Sequence, residues 1–585
     1  MNILVRVVFF VALTQADEIS PRVRTPLGSI RGFWQLSRNG REFQSYEGIP
    51  YAQPPVGKLR FKPPQPIGAW VGELPATKPG SKCLQYLHIY SDPKNRVIGS
   101  EDCLYLNVYT PLEEISLKNQ GKLLPVIFYI HGGAFQFGDS TDEQPHYMMD
   151  RDIVLVTLSY RLGPLGFLST EDAIVPGNMG LKDQNLALKW VSENIEWFGG
   201  DAKQVTLAGL SAGGASVHYH YLSPMSRGLF HRGMSLSGTA LDCWTQTEAS
   251  LEKAKKLGAV MGCPTSSNKE LIRCLKTRPA KSILEAEAEF MGWLYNPYTP
   301  FGPVVETDSV TPFIDKSPID IIKSGEVADV PWMTSVVTEE GLYPAAEFVA
   351  DKRLMKELDD NWELIAPHLL DFNYTIPKSD HVRVSREIRK HYLDNKRIER
   401  LTATALIHMI GDRLFVVDAE KAARHQAKVN KSPVRFYLFS YRGEHSLSDV
   451  FTHTKENFGV SHSDDLSYLF AEWTSALTNK QDVQMSEELA HMWTSYATTG
   501  IPDVGIDWPK VDPMKEELEY VLISGPGRYS VESNLNLGEK DFWKTINFNE
   551  NRLAGNSVVQ KNRGDGSQSP RSNFNEAKTG QMYDY

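Results

Sequence analysis

At 585 residues the chain is long enough for one very large domain or for several of ordinary size. Its content of 41% hydrophobic and 23% charged residues is typical of a globular protein with an extensive core. The formal net charge of −10 argues against a nucleic-acid partner, because binding to phosphates requires a cationic face.

The N-terminus predicts secretion. The apolar run from Val7 to Leu13 ends in small and polar residues, with a plausible cleavage point after Ala16. We therefore expect residues 1–16 to be a signal peptide and the protein to be extracellular; an N-terminal anchor or a buried strand is the competing interpretation. Glycosylation sequons at Asn373 and Asn430 agree with secretion. No other apolar run approaches membrane length, so no membrane span is expected.

Strand-like and helix-like segments alternate through the first half of the chain. The apolar runs 124–130 (LPVIFYI) and 153–160 (IVLVTLSY) are rich in β-branched residues and predict strands buried on both faces. Apolar residues recur at helical spacing from 181 to 198, where Gly199-Gly200-Asp201 ends the helix. This alternation predicts an α/β fold with a large, twisted, mostly parallel central sheet flanked by helices. Further strands are predicted at 205–208, 330–337 and 434–440.

The same pattern indicates one large domain followed by a polar tail. No internal repeat and no Pro- or Ser-rich linker divides residues 17–548. From 549 to 585 the chain is rich in Gly, Ser and Asn and almost without apolar residues. Such a segment buries too little surface to offset its ordering entropy, so we expect disorder there.

The five cysteines suggest two short disulfide loops. Cys83 lies close to Cys103 in the sequence, and Cys263 lies close to Cys274, which leaves Cys243 over. Each bridge would add about 3 kcal/mol in the chain-entropy model. The alternative is that all five are reduced and buried. No CxxC motif appears, so no metal site is expected.

Gly209-Leu210-Ser211-Ala212-Gly213 matches the G-x-S-x-G pattern of a nucleophile elbow. Its context fits, because the motif follows a strand-like run and precedes a helix-compatible one. A serine on such a turn projects its hydroxyl above the sheet, and the helix behind it presents N–H groups to a developing oxyanion. We therefore expect Ser211 to be a catalytic nucleophile.

A second motif, His131-Gly132-Gly133-Ala134, follows the strand at 124–130. Small residues at the carboxyl end of a strand let backbone amides approach a ligand closely. In hydrolases with a nucleophile elbow, such amides complete the oxyanion hole.

The general base and its carboxylate partner are less clear from the residues alone. Loop context favours three histidines, His445, His453 and His462. For the acid, Glu339 and Glu340 both follow a predicted strand and precede a glycine, and the pattern does not choose between them.

Together the motifs resemble the type-B carboxylesterase and cholinesterase family of the α/β-hydrolase fold, above all the secreted insect carboxylesterases. The resemblance covers nearly all of residues 20–545. Its segments are FQSYEGIPYA from Phe43, EDCLYLN from Glu101, SYRLGPLGF from Ser159, GLKDQN from Gly180, FGGD from Phe198, FHRGMSLSG from Phe230 and FGPVVE from Phe301.

The resemblance implies particular roles for individual residues. It implies Ser211 as nucleophile, Glu340 as acid and His462 as base, with no cofactor and no metal. The remaining implied assignments are oxyanion-hole amides at Gly133, Ala134 and Ala212, a hydrogen-bonding pair near the triad at Ser237 and Asp465, an acyl-pocket position at Trp244, and the disulfides Cys83–Cys103 and Cys263–Cys274.

Two departures from the family pattern bear on the substrate. Leu210 stands where many members carry Glu or Gln, and no tryptophan lies between Cys83 and Cys103. Loss of a carboxylate and of a cation–π partner disfavours acetylcholine. Ala134 replaces the third glycine of the commoner HGGG form, and we expect this change to be tolerated because only the backbone amide of that residue is used.

We therefore expect a broad-specificity serine esterase that hydrolyses small uncharged esters, acts on xenobiotics and is sensitive to organophosphates. A dedicated juvenile-hormone or pheromone esterase is the alternative. A non-catalytic adhesion protein is the alternative from another class, disfavoured because this chain has all three triad residues. The sequence leaves the oligomeric state open.

Overall fold

The computed structural model describes residues 20–87, 96–111, 122–471 and 477–551. The expected signal peptide at 1–16 lies outside these residues, as does the tail beyond 551. Residues 549–551, the first of the expected tail, form a short 3₁₀ turn at the end of the described chain.

The strands, in chain order, are β1 Arg22–Thr25, β2 Gly28–Arg31, β3 Phe33–Leu36, β4 Glu42–Pro50, β5 Glu73–Pro75, β6 Gln85–Tyr86, β7 Val97–Ile98, β8 Tyr105–Thr110, β9 Leu124–Ile130, β10 Val154–Leu158, β11 Gly200–Leu210, β12 Arg232–Leu236, β13 Trp332–Val337, β14 Val434–Phe439, β15 Leu518–Gly525 and β16 Arg528–Asn534.

The helices, in chain order, are α1 Gly163–Phe167, α2 Met179–Asn194, α3 Ala212–Leu222, α4 Ser250–Val260, α5 Asn268–Leu275, α6 Ala280–Glu285, α7 Pro318–Lys323, α8 Leu342–Val349, α9 Lys352–Asp360, α10 Trp362–Leu369, α11 His381–Leu393, α12 Ala403–Gly411, α13 Val417–Val429, α14 Leu447–Thr452, α15 Lys480–Thr499 and α16 Lys540–Trp543. A π-helical turn, Asp412–Val416, joins α12 to α13.

Eleven strands form one central sheet in the order β16-β15-β14-β13-β12-β11-β9-β10-β8-β4-β3. All pairings from β10 through β15 along this order are parallel, whereas those at the two edges are antiparallel. The expected α/β fold with a mostly parallel sheet is confirmed. The predicted strands at 124–130, 205–208 and 434–440 correspond to β9, the middle of β11 and β14.

The core lies on both faces of this sheet. Alternate residues of β9 belong to opposite apolar clusters, with Phe128 and Ile130 in one and Ile127 and Tyr129 in the other. A strand buried on both faces must be apolar throughout, which explains the continuous run LPVIFYI. The helix predicted from 181 onward is α2, and the 3₁₀ turn Ile195–Phe198 that follows it ends at Gly199, which has a φ of 80°.

The two short cysteine loops are closed. Cys83 bonds to Cys103 and Cys263 bonds to Cys274. Cys243 is the free thiol, and it is buried. The pairing expected from closeness is therefore confirmed, and the alternative of five reduced cysteines is wrong.

Within the described part of the chain, no helix is both long and apolar enough to cross a membrane. The two sequons lie at the protein surface in different settings. Asn373 is partly exposed, and the hydroxyl of Thr375 in the same sequon donates to the Glu550 carboxylate. The Asn430 amide donates to the carbonyl of Ala328.

Candidate active site

Ser211 occupies the sharp turn between β11 and α3. Its backbone dihedrals, φ 58° and ψ −123°, lie in a region that non-glycine residues rarely adopt, so the turn is strained. Close packing of neighbouring segments of the backbone enforces this turn. A Cβ atom on Gly213 would lie 2.0 Å from the Ile130 carbonyl oxygen, and one on Gly238 would lie 2.1 Å from the Ser211 carbonyl oxygen. The sequence motif marked Gly213, whereas the need for Gly238 appears only in the packing.

Glu340 and His462 meet across 122 residues of sequence. The Nδ1 atom of the imidazole lies 2.6 Å from Oε2 of the carboxylate, and both side chains are buried. The Val337 amide also donates to Oε1 of Glu340, at 2.8 Å. The Glu340 carboxylate is therefore held by the last residue of β13, and it orients the His462 imidazole.

Aromatic rings pack on the His462 imidazole. The Tyr343 ring stacks with it at 5.5 Å between centroids, and the Phe415 ring lies at 4.6 Å. The other two candidate histidines do not join this site. His453 is exposed at the end of α14, and neither it nor His445 borders the pocket that contains Ser211.

Glu339, the other candidate acid, contacts the loop of the histidine instead. Its carboxylate accepts a hydrogen bond from the Val460 amide at 2.6 Å, and its own amide donates to the Val460 carbonyl. A Cβ atom on Gly459 would come within 2.4 Å of the Glu339 carboxylate. The two adjacent glutamates thus hold neighbouring parts of the same loop.

Ser237 and Asp465, the pair that the resemblance implied near the triad, both lie close to Glu340. The Ser237 hydroxyl donates to Oε1 of Glu340 at 2.6 Å. The Asp465 carboxylate is buried, with Glu340 and His462 nearby. Burial, together with the nearby Glu340 charge, raises the pKa of Asp465 to about 7.

Gly133 and Ala134 line the same pocket as Ser211, and Ala212 directly follows Ser211 at the start of α3. Gly133 and Ala134 have positive φ angles of 96° and 55°, which turn the chain sharply after β9. None of the three amides donates a backbone hydrogen bond to another described residue outside the helices and strands. The Gln136 side chain fixes this loop by donating to the carbonyls of Ala134 and Phe301.

Ser211 and His462 line one pocket of about 60 Å³, together with the oxyanion-loop residues. Its wall is mostly apolar, with Leu210 and Leu447 among the contributors. Two carboxylates, Asp142 and Glu143, also lie in the wall. The residue at position 210 gave no indication of these two carboxylates, because they come from a different loop.

Trp244 does not line this pocket. Its ring centroid lies 6.2 Å from that of Phe135 and 5.8 Å from that of Phe415, and its indole N–H donates to the Leu414 carbonyl. Trp244 thus packs on Phe415, the ring that contacts His462, and lines a second cavity.

The sheet, the elbow and the acid–base pair define an α/β-hydrolase. Comparison with known proteins gives the family. The model of the carboxylesterase family matches residues 19–543. Venom carboxylesterase-6 of Apis mellifera is 51% identical over 546 residues, which cover 93% of this chain and 97% of that protein. Juvenile hormone esterase of Tribolium castaneum is 37% identical over 563 residues, covering 91% and 94%.

A solved structure agrees. The crystal structure of juvenile hormone esterase from Manduca sexta, with OTFP covalently attached, superimposes with a TM-score of 0.78 at 28% identity. The match covers 90% of this chain and 99% of that one. The chain belongs to the carboxylesterase family, and the expected enzyme class, carboxylic-ester hydrolase, is confirmed. These relatives give no support to the adhesion alternative.

Proposed function

We propose that the protein is a secreted serine carboxylesterase in which Ser211, Glu340 and His462 form the catalytic triad. The 2.6 Å contact between His462 and Glu340, beside the strained turn of Ser211, carries this proposal. A serine hydroxyl is a weak nucleophile until a neighbouring base accepts its proton. Glu340 holds the imidazole so that Nε2 is available for that role.

The reaction proceeds in two steps through an acyl-enzyme. His462 accepts the Ser211 proton as the oxygen attacks the ester carbonyl carbon, and the tetrahedral intermediate collapses when His462 protonates the leaving alcohol. Water then attacks the acyl-serine by the same route and releases the acid. The amides of Gly133, Ala134 and Ala212 stabilise the oxyanion in both steps. Loss of one such donor costs about 10²–10³ in turnover. The chain's own residues supply this chemistry.

The mostly apolar pocket favours small uncharged esters, with organophosphates as covalent inhibitors. We propose broad, xenobiotic-type specificity. The second candidate is a dedicated hormone or pheromone esterase, which the likeness to two juvenile hormone esterases supports. Turnover of juvenile hormone, a fatty acetate and p-nitrophenyl acetate, measured side by side, separates the two. Similar catalytic efficiency on all three favours broad specificity.

Secretion and glycosylation belong to the same proposal. The predicted signal peptide supports secretion, as do the two disulfides, since such bonds persist in oxidising compartments. A relative named as a venom enzyme points the same way. Glycans are proposed at Asn373 and Asn430, where Asn373→Gln and Asn430→Gln should each reduce the mass of the secreted protein.

Labelling with a fluorophosphonate probe tests the catalytic assignment. The wild-type protein should carry the label on the peptide that contains Ser211, and Ser211→Ala should take up none while remaining folded. Label on another peptide would overturn the assignment.

A further inference from the structure

A second cavity, of about 210 Å³, shares no lining residue with the catalytic pocket. We call it the Lys253 cavity, and it is bordered by Trp244, Glu248, Lys253, Thr299, Val304 and Asp371. It lies between α4, which carries Lys253, and the turn after α10, which carries Asp371.

Lys253 contributes a buried cation without a close anionic partner. The side chain is only 6% exposed, and its ammonium nitrogen lies 4.8 Å from the centroid of the Tyr374 ring. Among the described residues, none accepts a hydrogen bond from this nitrogen and no carboxylate lies within 4.0 Å of it. Burial lowers the pKa of Lys253 to about 8, although Asp371 and Glu248 oppose the shift. A buried ammonium that makes no hydrogen bond is costly unless something binds it.

Three carboxylates line the same cavity, those of Glu248, Asp371 and Glu550, and Glu550 is paired with Arg413. The Asp371 side chain hydrogen-bonds to no described residue, whereas its backbone carbonyl accepts from Arg413 and its backbone amide donates to the His368 carbonyl. Burial raises the pKa of Asp371 to about 6, against the opposing effects of Lys253 and Arg413. Glu248 accepts one hydrogen bond, from the Asn549 amide. Lys253 and Asp371 therefore interact electrostatically, but they form no ion pair with each other.

The rest of the wall has the composition of a ligand site. The Thr299 hydroxyl is buried and lacks a hydrogen-bond partner among the described residues, while Val304, Ile314 and Trp244 supply apolar surface. A volume of 210 Å³ corresponds to roughly seven water molecules at about 30 Å³ each. A molecule with a similar number of non-hydrogen atoms fits.

We propose that the Lys253 cavity binds a small aliphatic zwitterion, an amino acid whose carboxylate meets Lys253 and whose ammonium meets Asp371. A simple amine would satisfy Asp371 but be repelled by Lys253, and a simple carboxylate would meet the reverse problem. A zwitterion satisfies both charges and leaves the net charge of the site unchanged. This proposal is independent of the catalytic assignment, because binding is measured without turnover.

The test is calorimetric titration of the purified full-length protein with L-valine and L-leucine. Isobutylamine and isobutyrate, which carry one charge each, serve as matched probes. We expect the amino acids to bind with saturation and the single-charge probes to bind at least about tenfold more weakly, as expected for loss of one charged contact.

Two variants locate the binding. Lys253→Met and Asp371→Asn should each weaken the amino-acid affinity by about tenfold or more. Lys255→Met, an exposed lysine on the same helix, and Asp394→Asn, another aspartate with positive φ, should leave the affinity unchanged.

The comparison of probes on the wild-type protein remains decisive if either variant fails to fold. The proposal is overturned if no amino acid binds, if the single-charge probes bind equally well, or if a folded Lys253→Met protein binds as tightly as wild type. The first of these results would mean that the cavity holds water only.

Discussion

Replacing Glu339 by alanine removes the side chain that ties the loops of the proposed acid and base together. Val460 is buried and lies two residues before His462. In the variant its backbone N–H loses the carboxylate that accepts its hydrogen bond. Loss of a hydrogen bond to a charged group costs about 2 kcal/mol. If this loss moves the imidazole relative to Ser211, kcat falls by about tenfold for each 1.4 kcal/mol that is lost in the transition state.

The assay is hydrolysis of p-nitrophenyl acetate, with active sites counted by fluorophosphonate titration. Glu339→Ala should lower kcat by about tenfold with little change in KM, since the residue contacts the loop and not the pocket. Glu339→Gln keeps an amide oxygen for the Val460 N–H and should retain most of the activity. Equal kcat values for Glu339→Ala and wild type would refute the reasoning, and equal losses in both variants would show that the charge matters rather than the hydrogen bond.

Three further predictions follow from contacts around the site. Ser237→Ala removes the 2.6 Å hydrogen bond to Glu340 and should reduce kcat by about tenfold at unchanged KM, measured with the same ester; a parallel rise in KM would contradict a role confined to the carboxylate. Gly213→Ala places a Cβ atom 2.0 Å from the Ile130 carbonyl and should abolish folded, labelled enzyme on a gel, whereas Gly68→Ala, with open space around it, should behave as wild type. Burial raises the pKa of Asp412 from 3.8 to about 7, so the folded state binds this proton more tightly than the unfolded state does. The free energy of unfolding therefore falls as the pH rises from 3.8 to about 7. Asp412→Asn should therefore flatten the fall of the melting temperature between these pH values, and an unchanged slope would count against the shift.

Whether a segment forms a strand, a helix or a turn could be predicted from the sequence, because this depends mainly on neighbouring residues. Continuous runs rich in β-branched residues predicted β9 and β10, since strands buried on both faces must be apolar throughout. The elbow around Ser211 could likewise be predicted, because the G-x-S-x-G pattern between a strand-like run and a helix-compatible run spans only a few residues. The disulfide partners were legible because short loops bring them together.

Only the tertiary structure decided which distant groups meet. Glu339 and Glu340 are equivalent in local sequence, and the register of their loop against that of His462 directs one carboxylate to Val460 and the other to the imidazole. The sequence likewise did not indicate that Asp142 and Glu143 lie in the wall of the pocket. Nor did it indicate that Lys253 and Asp371 line one cavity. Propensity acts over a few neighbouring residues, whereas these contacts depend on how the sheet places loops that are a hundred or more residues apart.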